Sequence, residues 1–311
     1  MEHQHDLAAL PAGLRFAATV GVFDGLHRGH MAVLEALVQL ARRESAAPVV
    51  ISFEPHPEVV LRGSAPPLLC DPAEREARLA DIGVAHLVVQ PFDAVFAARS
   101  AASFVELLVL ERDLVALVMT SESAFGRGRE GTAQVVRALG VQMEFRVEEV
   151  PPVIGGGAPI SSSRIRALLA AGRLADAAHL LGRRTAVTGG VVRGDGRGRD
   201  LGFPTANLAF AEAVALPPDG IYAARVGWGG DDLLRPRRRA RSVVSLGTRP
   251  TFGGGDRVLE VHLLDLDEDL YGQRLRVEFV RRQRRQRRFE TVPALVAQMA
   301  RDVERARVIL G

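Results

Sequence analysis

Two stretches of the chain gather residue types that handle phosphate. The first is Gly21-Val22-Phe23-Asp24-Gly25-Leu26-His27-Arg28-Gly29-His30. Histidines three apart at the mouth of a helix can turn both rings toward one anion. There they hydrogen-bond it or, when protonated, neutralise the charge that builds on a phosphate during displacement. Gly25 and Gly29 permit positive φ and close backbone approach. The competing readings of His27 and His30 are a zinc pair or two ordinary surface histidines. Zinc is disfavoured, because no second Cys or His cluster is evident and Cys70 is the only cysteine.

The second stretch is Gly194-Asp195-Gly196-Arg197-Gly198-Arg199-Asp200-Leu201-Gly202-Phe203-Pro204-Thr205-Ala206-Asn207. It reads as a glycine-rich loop entering a strand, and the plain alternative is a flexible hairpin. Thr205 and Asn207, two apart, fall on one strand face. A hydroxyl and an amide oxygen are hard ligands suited to Mg²⁺. Farther on, Glu260 lies in Val258-Leu259-Glu260-Val261-His262, where alternation puts it on a face with Val258 and His262.

Three smaller groups accompany these. Ser161-Ser162-Ser163 opens a helix with Arg166 one turn on. One serine there is an ordinary N-cap, worth about 1 kcal/mol, but a cap needs one hydroxyl, not three. His56 sits between prolines in Ser52-Phe53-Glu54-Pro55-His56-Pro57, either as a rigid turn residue or as part of a site at a strand end. Thr120-Ser121-Glu122-Ser123-Ala124-Phe125-Gly126 follows another apolar run.

Positioning these groups requires a scaffold of two kinds. The first half alternates strand candidates (16–22, 49–53, 86–90, 114–120, 144–150) with helical stretches (31–43, 72–82, 101–111, 132–139). That pattern predicts an α/β fold with a parallel sheet and helices on both faces, its ligand crevice at the carboxyl ends of the strands. A strand that enters a glycine-rich turn opening a helix aims backbone N–H groups at a phosphate. Helical segments follow at 167–171 and 174–181. From Thr185 short β segments (185–192, 220–228, 242–246, 258–264, 274–280) predict a small antiparallel barrel, and 292–310 an amphipathic helix packed on it. The domain boundary falls near Gly182.

Composition narrows the chemistry. All 40 basic residues are arginine, so a Walker A lysine, a kinase strand lysine and a lysine Schiff base are all excluded. Phosphoryl transfer must use backbone amides, arginine, histidine or metal. The apolar runs are too short to span a bilayer and the first residues lack a signal peptide's character, so a cytoplasmic, soluble protein is expected. A single cysteine fits a reducing compartment. The arginine runs 235–241 and 281–288 could attract nucleic acid. The second has no aromatic residue until Phe289, which favours a solvated surface.

Taken together, these motifs resemble the prokaryotic bifunctional riboflavin kinase/FMN adenylyltransferase (FAD synthetase) family, over almost the whole chain. The first stretch is similar to its nucleotidyltransferase signature G-x-F-D-G-x-H-x-G-H, and the second to its riboflavin kinase signature G-x-x-x-G-R-x-L-G-F-P-T-A-N. The resemblance implies a Rossmann-like nucleotidyltransferase domain (1–182) and a β-barrel riboflavin kinase domain (183–311). It implies ATP as co-substrate, Mg²⁺, and flavin as substrate and product. It makes Gly21, Phe23, Asp24, Gly25, Gly29, Ser162, Ser163, Gly194, Gly198, Arg199, Thr205 and Asn207 nucleotide-binding residues, with Thr205 and Asn207 also on the metal. His27, His30 and Arg166 would act in adenylyl transfer, and Glu260 would be the general base of the kinase. His56, Glu122, Phe125 and Arg284 would contact flavin. Gly247-Thr248-Arg249-Pro250-Thr251 and 265–272 match further family segments.

Two segments depart from the pattern. Where the family has Gly-x-Asp/Asn-Phe, this chain has Thr120, Glu122 and Ser123; where it has Arg-x-Glu, Gln286 stands for the glutamate. The first departure leaves a second reading open, a riboflavin kinase whose adenylyltransferase domain is weakened, redirected or vestigial. A third, less favoured, is an arginine-rich nucleic-acid binder on the same scaffold. Expected partners are riboflavin, FMN and ATP, with no membrane and no specific nucleic acid; the oligomeric state stays open.

Overall fold

The computed structural model describes residues 1–110, 112–194, 196–230, 232–248, 257–266 and 268–311. Glu111, Asp195, Asp267 and the 249–251 part of the Gly247–Thr251 segment lie outside them. The chain divides into two compact units. One comprises Met1–Pro66 and Arg75–Ser161; the other comprises Pro67–Glu74 and Ser162–Gly311.

The first unit is a six-stranded parallel sheet in the order β1-β4-β3-β2-β5-β8. These strands are β1 (Glu2–Gln4), β2 (Phe16–Val20), β3 (Ala47–Glu54), β4 (His86–Pro91), β5 (Leu114–Thr120) and β8 (Arg146–Val150). Two residue pairs, β6 (Ala124–Phe125) with β7 (Gly131–Thr132) and β9 (Ile154–Gly155) with β10 (Ala158–Pro159), form small antiparallel ribbons. The helices are α1 (Arg28–Arg43), α2 (Pro57–Arg62), α4 (Ala94–Ala97), α5 (Ala101–Leu110) and α6 (Ala133–Gln142), with α3 (Pro72–Ile82) entering from the adjoining residues. Alternate residues of the strands feed two apolar layers. Ala18, Val49, Ile51 and Leu117 pack toward Phe104 and Leu108 of α5, while Ala17, Val50, Leu87 and Val118 pack toward Leu34 and Leu37 of α1. A sheet covered on both faces explains strands that read as unbroken apolar runs. The sheet order reverses at β2, which places the histidine stretch, directly after β2, at the switch point.

The β1 strand escapes sequence reading because Glu2-His3-Gln4 carries no apolar period. It exists because the edge of β4 supplies backbone partners, with Glu2 opposite His86. Helix α1 begins three residues earlier than predicted, at Arg28, so Gly29 is helical and, of the two glycines, Gly25 (φ 80°) is the one in the left-handed region.

In the second unit, α7 (Ser162–Ala170) and α8 (Leu174–Leu181) precede a closed six-stranded barrel in the order β11-β12-β15-β14-β13-β16. Its strands are β11 (Ala186–Val192), β12 (Ala206–Ala209), β13 (Gly220–Trp228), β14 (Arg238–Thr248), β15 (Arg257–Leu263) and β16 (Arg274–Arg284). A one-turn α9 (Arg197–Asp200) lies in the glycine loop, and α10 (Val292–Leu310) ends the chain. Tyr222, Val244, Leu259, Val261 and Phe279 fill the barrel. Val303, Ala306 and Leu310 of α10 pack with Ala223 and Leu264 outside it.

Strands β14 and β16 run beyond the apolar patterns that predicted them. Both extensions are arginine-rich, and backbone pairing to β13 carries them, with register shifts beside Tyr222 and Ala223. The arginine runs are therefore partly strand, and many of their side chains meet partners. Arg235 reaches Asp232, Arg238 reaches Glu268, Arg241 reaches Asp265, and Arg284 reaches Asp302.

The Pro67–Glu74 segment is bound into the barrel unit. Leu68 bridges Val214, Asp71 takes Arg274 at 2.7 Å, and the buried Glu74 holds Arg276 through both its oxygens at 2.8 and 3.2 Å. Arg183 adds a second cation at 3.6 Å. Burial works against the Arg276 charge, but the hydrogen bonds and charge of Glu74, with Glu278, outweigh it and hold its pKa above the ordinary arginine value.

Candidate active sites

The histidine stretch takes its shape from close packing. Phe23 occupies a left-handed conformation (φ 54°) that a bulky residue adopts only under constraint, and its ring lies against Gly21. Asp24, Leu26 and His27 are all buried. His27 caps α1: its Nδ1 accepts a hydrogen bond from the His30 backbone N–H at 3.2 Å. The His27 and His30 rings stack at 3.6 Å between centroids, 17° from parallel, and Phe23 meets His30 edge-on at 5.1 Å. A Cβ on Gly29 would come within 3.2 Å of the His27 ring, so glycine lets that ring lie across the first turn. With Nδ1 engaged as acceptor, the neutral His27 ring carries its proton on Nε2, where it is a donor.

The other residues singled out within 1–182 have local partners of their own. His56 caps α2, its Nδ1 accepting from Glu58 N at 3.2 Å. Glu122 is exposed. The Phe125 ring packs edge-on against Phe104 at 5.3 Å, one end of a chain of phenyl contacts through Phe96 to Phe53 and Phe92. Thr120 and Ser123 close their turn on each other: Ser123 Oγ accepts from Thr120 N at 3.1 Å and lies 2.9 Å from Thr120 Oγ1. Ser162 and Ser163 begin α7, and Arg166 one turn on donates to the Pro67 carbonyl at 2.8 Å.

The barrel holds a more complete arrangement. A cavity of about 400 Å³ opens on its outer face, lined by Gly198, Thr205, Asn207, Glu260 and Arg284 among others. Asn207 is directly opposite Glu260 across β12 and β15, as alternation requires if both face outward while Leu208, Leu259 and Val261 face in. The loop glycines fit their neighbours closely. A Cβ on Gly194 would fall 2.1 Å from Asn207 Nδ2, and one on Gly198 would fall 3.1 Å from Thr205 Oγ1. His262 Nδ1 sits 2.8 Å from the Pro204 carbonyl and ties the loop to β15. Arg199 lines a smaller adjoining cavity with Thr205, Glu268 and Tyr271.

At the far end of the cavity Arg284 is held by α10. Its Nε lies 3.0 Å from both Asp302 oxygens, its Nη2 is 2.6 Å from Asp302 Oδ2, and Gln298 Nε2 donates to Asp302 at 2.9 Å. Arg284 is thus fixed by a carboxylate of the same unit. Asp302 was missed from sequence, although a signal existed: it falls on the Leu295, Met299, Val303, Ala306 stripe of α10, where a carboxylate needs a buried partner. Gln286, in place of the family's glutamate, donates to the Leu246 carbonyl at 3.0 Å.

The site can be tested for a divalent ion. Among the described residues no cluster of three or more His, Cys, Asp or Glu could hold a metal. A hydroxyl and an amide oxygen beside a glycine cradle fit Mg²⁺, which keeps waters and takes substrate phosphates as ligands.

Comparisons with known proteins match both parts of the chain. A family model described as FAD synthetase matches residues 13–164, and one described as riboflavin kinase matches residues 181–310. The bifunctional riboflavin kinase/FMN adenylyltransferase of Escherichia coli K12 is 38% identical over 295 residues, covering 94% of this chain and 92% of its own. The Haemophilus influenzae protein of the same name is 33% identical over 297 residues, covering 95% and 94%. A solved Streptococcus pneumoniae structure, described as a macrolide-efflux protein, superposes with a TM-score of 0.87 at 30% identity over 98% of both chains.

Proposed function

The chain belongs to the bifunctional riboflavin kinase/FMN adenylyltransferase family, and on that basis we propose that it makes FMN from riboflavin and FAD from FMN. The assignment of chemistry to residues 1–182 (adenylyl transfer) and 183–311 (kinase) is part of the same proposal. In the barrel, the riboflavin 5′-hydroxyl attacks the γ-phosphorus of ATP. Its proton passes to Glu260, the new P–O bond forms, and the bond to ADP breaks. Thr205 and Asn207 would hold Mg²⁺, which supplies charge neutralisation on the phosphates when bound. Main-chain amides of the Gly194–Gly198 loop cover the phosphates in place of a lysine. Both reactions rest on positioning and charge stabilisation.

In the first unit, an FMN phosphate oxygen attacks the α-phosphorus of a second ATP, and pyrophosphate leaves. That nucleophile is already ionised, so no base is needed. His27, with its proton on Nε2, is set to donate to a charged phosphate oxygen rather than to take a proton, and His30 stacked on it shares that role. The reading includes a cytoplasmic location, supported by a single cysteine in 311 residues.

The observation that carries the kinase reading is the direct pairing of Asn207 with Glu260 in one cavity. Supplying riboflavin or FMN in turn, with ATP and Mg²⁺, tests the whole reading by chromatography. FMN and FAD are expected respectively. No FMN from riboflavin would overturn the kinase assignment; FMN without FAD would reduce the protein to a kinase.

A further inference from the structure

The cavity wall contains a transverse row that crosses five strands. Asn207 of β12 is opposite Glu260 of β15, Glu260 opposite Ser245 of β14, Ser245 opposite Ile221 of β13, and Ile221 opposite Arg284 of β16. All five residues line the same cavity. With strands about 4.8 Å apart, four steps make a ruler of about 19 Å. Its chemistry changes in order: metal-type ligand, carboxylate, hydroxyl, aliphatic side chain, then guanidinium beside the apolar Phe289, Leu295 and Met299.

Ser245 is the polar member of this row with no assigned task. It is half-buried, and its hydroxyl makes no hydrogen bond with any described residue. Three residues earlier on the same strand, the buried Ser242 hydroxyl donates to the Ala224 carbonyl at 3.0 Å. A hydroxyl left unmatched inside a cavity wall, one strand from the carboxylate that receives the proton, is matched by a ligand or by water.

We propose that Ser245 recognises a secondary hydroxyl of the ribityl chain, and so makes the kinase site selective for a polyhydroxylated flavin side chain. The inference rests on the kinase reading above. With the terminal hydroxyl at Glu260 and the ring at the apolar end, the intervening chain must cross Ser245. A hydroxyl one or two carbons from the reacting one then falls within its reach. A site that hydrogen-bonds a substrate hydroxyl penalises the analogue lacking it, because its own polar group is left unpaired.

The test compares riboflavin with its 4′-deoxy and 3′-deoxy analogues on the full-length protein and its Ser245→Ala and Ser245→Thr variants. Binding is read by flavin fluorescence and turnover by product formation. The unmodified protein is expected to favour riboflavin over one of the two analogues by about tenfold or more in both readouts, as for a buried hydrogen bond. Ser245→Ala should abolish that preference and Ser245→Thr should restore most of it, with analogue turnover nearly unchanged by either substitution. Equal treatment of all three flavins by the unmodified protein overturns the inference, as does full discrimination surviving in Ser245→Ala. Riboflavin binding with normal discrimination but no FMN would instead overturn the kinase reading alone.

Discussion

Glu260 and Gly194 act on opposite sides of Asn207, and their substitutions should fail differently. Glu260→Ala removes the proposed proton acceptor and should lower FMN formation on the order of a hundredfold, with riboflavin binding retained. An unchanged steady-state rate would remove Glu260 from the chemistry. Gly194→Ala places a methyl group where the Asn207 amide now sits, so loop or amide must move. Its expected effect is a raised KM for Mg·ATP with little change in riboflavin affinity. At this scale the sequence was legible wherever residues sit close along the chain. Thr205 and Asn207 share a face by alternation, and His27 and His30 by helical spacing. Ser245 was not legible, because its neighbourhood with Glu260 exists only through strand register.

Helix α10 is held to the barrel by an apolar stripe and by the Arg284–Asp302 pair, whose side chains are 13% and 6% exposed. Asp302→Ala leaves a buried guanidinium unpaired, which costs about 3–5 kcal/mol when one partner of such a pair is removed. Denaturant unfolding should show that loss, and riboflavin KM should rise as Arg284 loses its fixed orientation. A loss within 0.5 kcal/mol, the range of an ordinary surface change, would mean the apolar stripe alone fixes the helix. Elements with a clear period, such as α3, α8, β5, β13 and α10, were readable to their ends. The ends of β14 and β16 were not, because arginine does not alternate with anything there and pairing to β13 decides the matter. The short β1 had no period to read.

Across the whole molecule, the proposed function gives the two chemistries separate sets of residues. His27→Ala should abolish FAD formation from FMN and leave FMN formation near its original rate, and Glu260→Ala should do the reverse. A product assay on both variants checks this, and coupled loss in either would show that the activities are not separable. Stability should also fall at alkaline pH. Burial raises the Tyr222 phenol above its ordinary 10.0, a rise that nearby Arg282 and Arg257 moderate. The unfolded phenol ionises first, so this contribution is complete below about pH 10 and declines as pH rises through the folded value. Tyr222→Phe, losing its hydrogen bond to the Pro218 carbonyl, should cost about 1 kcal/mol at neutral pH. Its urea midpoint should then fall less between about pH 9 and 11 than that of the unmodified protein.

Because Asp71 and Glu74 belong with Arg274, Arg276 and Arg183, the order of synthesis differs from the order of assembly. On the ribosome these carboxylates emerge roughly a hundred residues before the first of their cations, at synthesis rates near 5–20 residues per second. For several seconds the nascent chain therefore carries a strap with nothing to fasten. A gene fragment cut at residue 162 would meet the converse problem, producing cations whose counter-charges were left on the discarded piece.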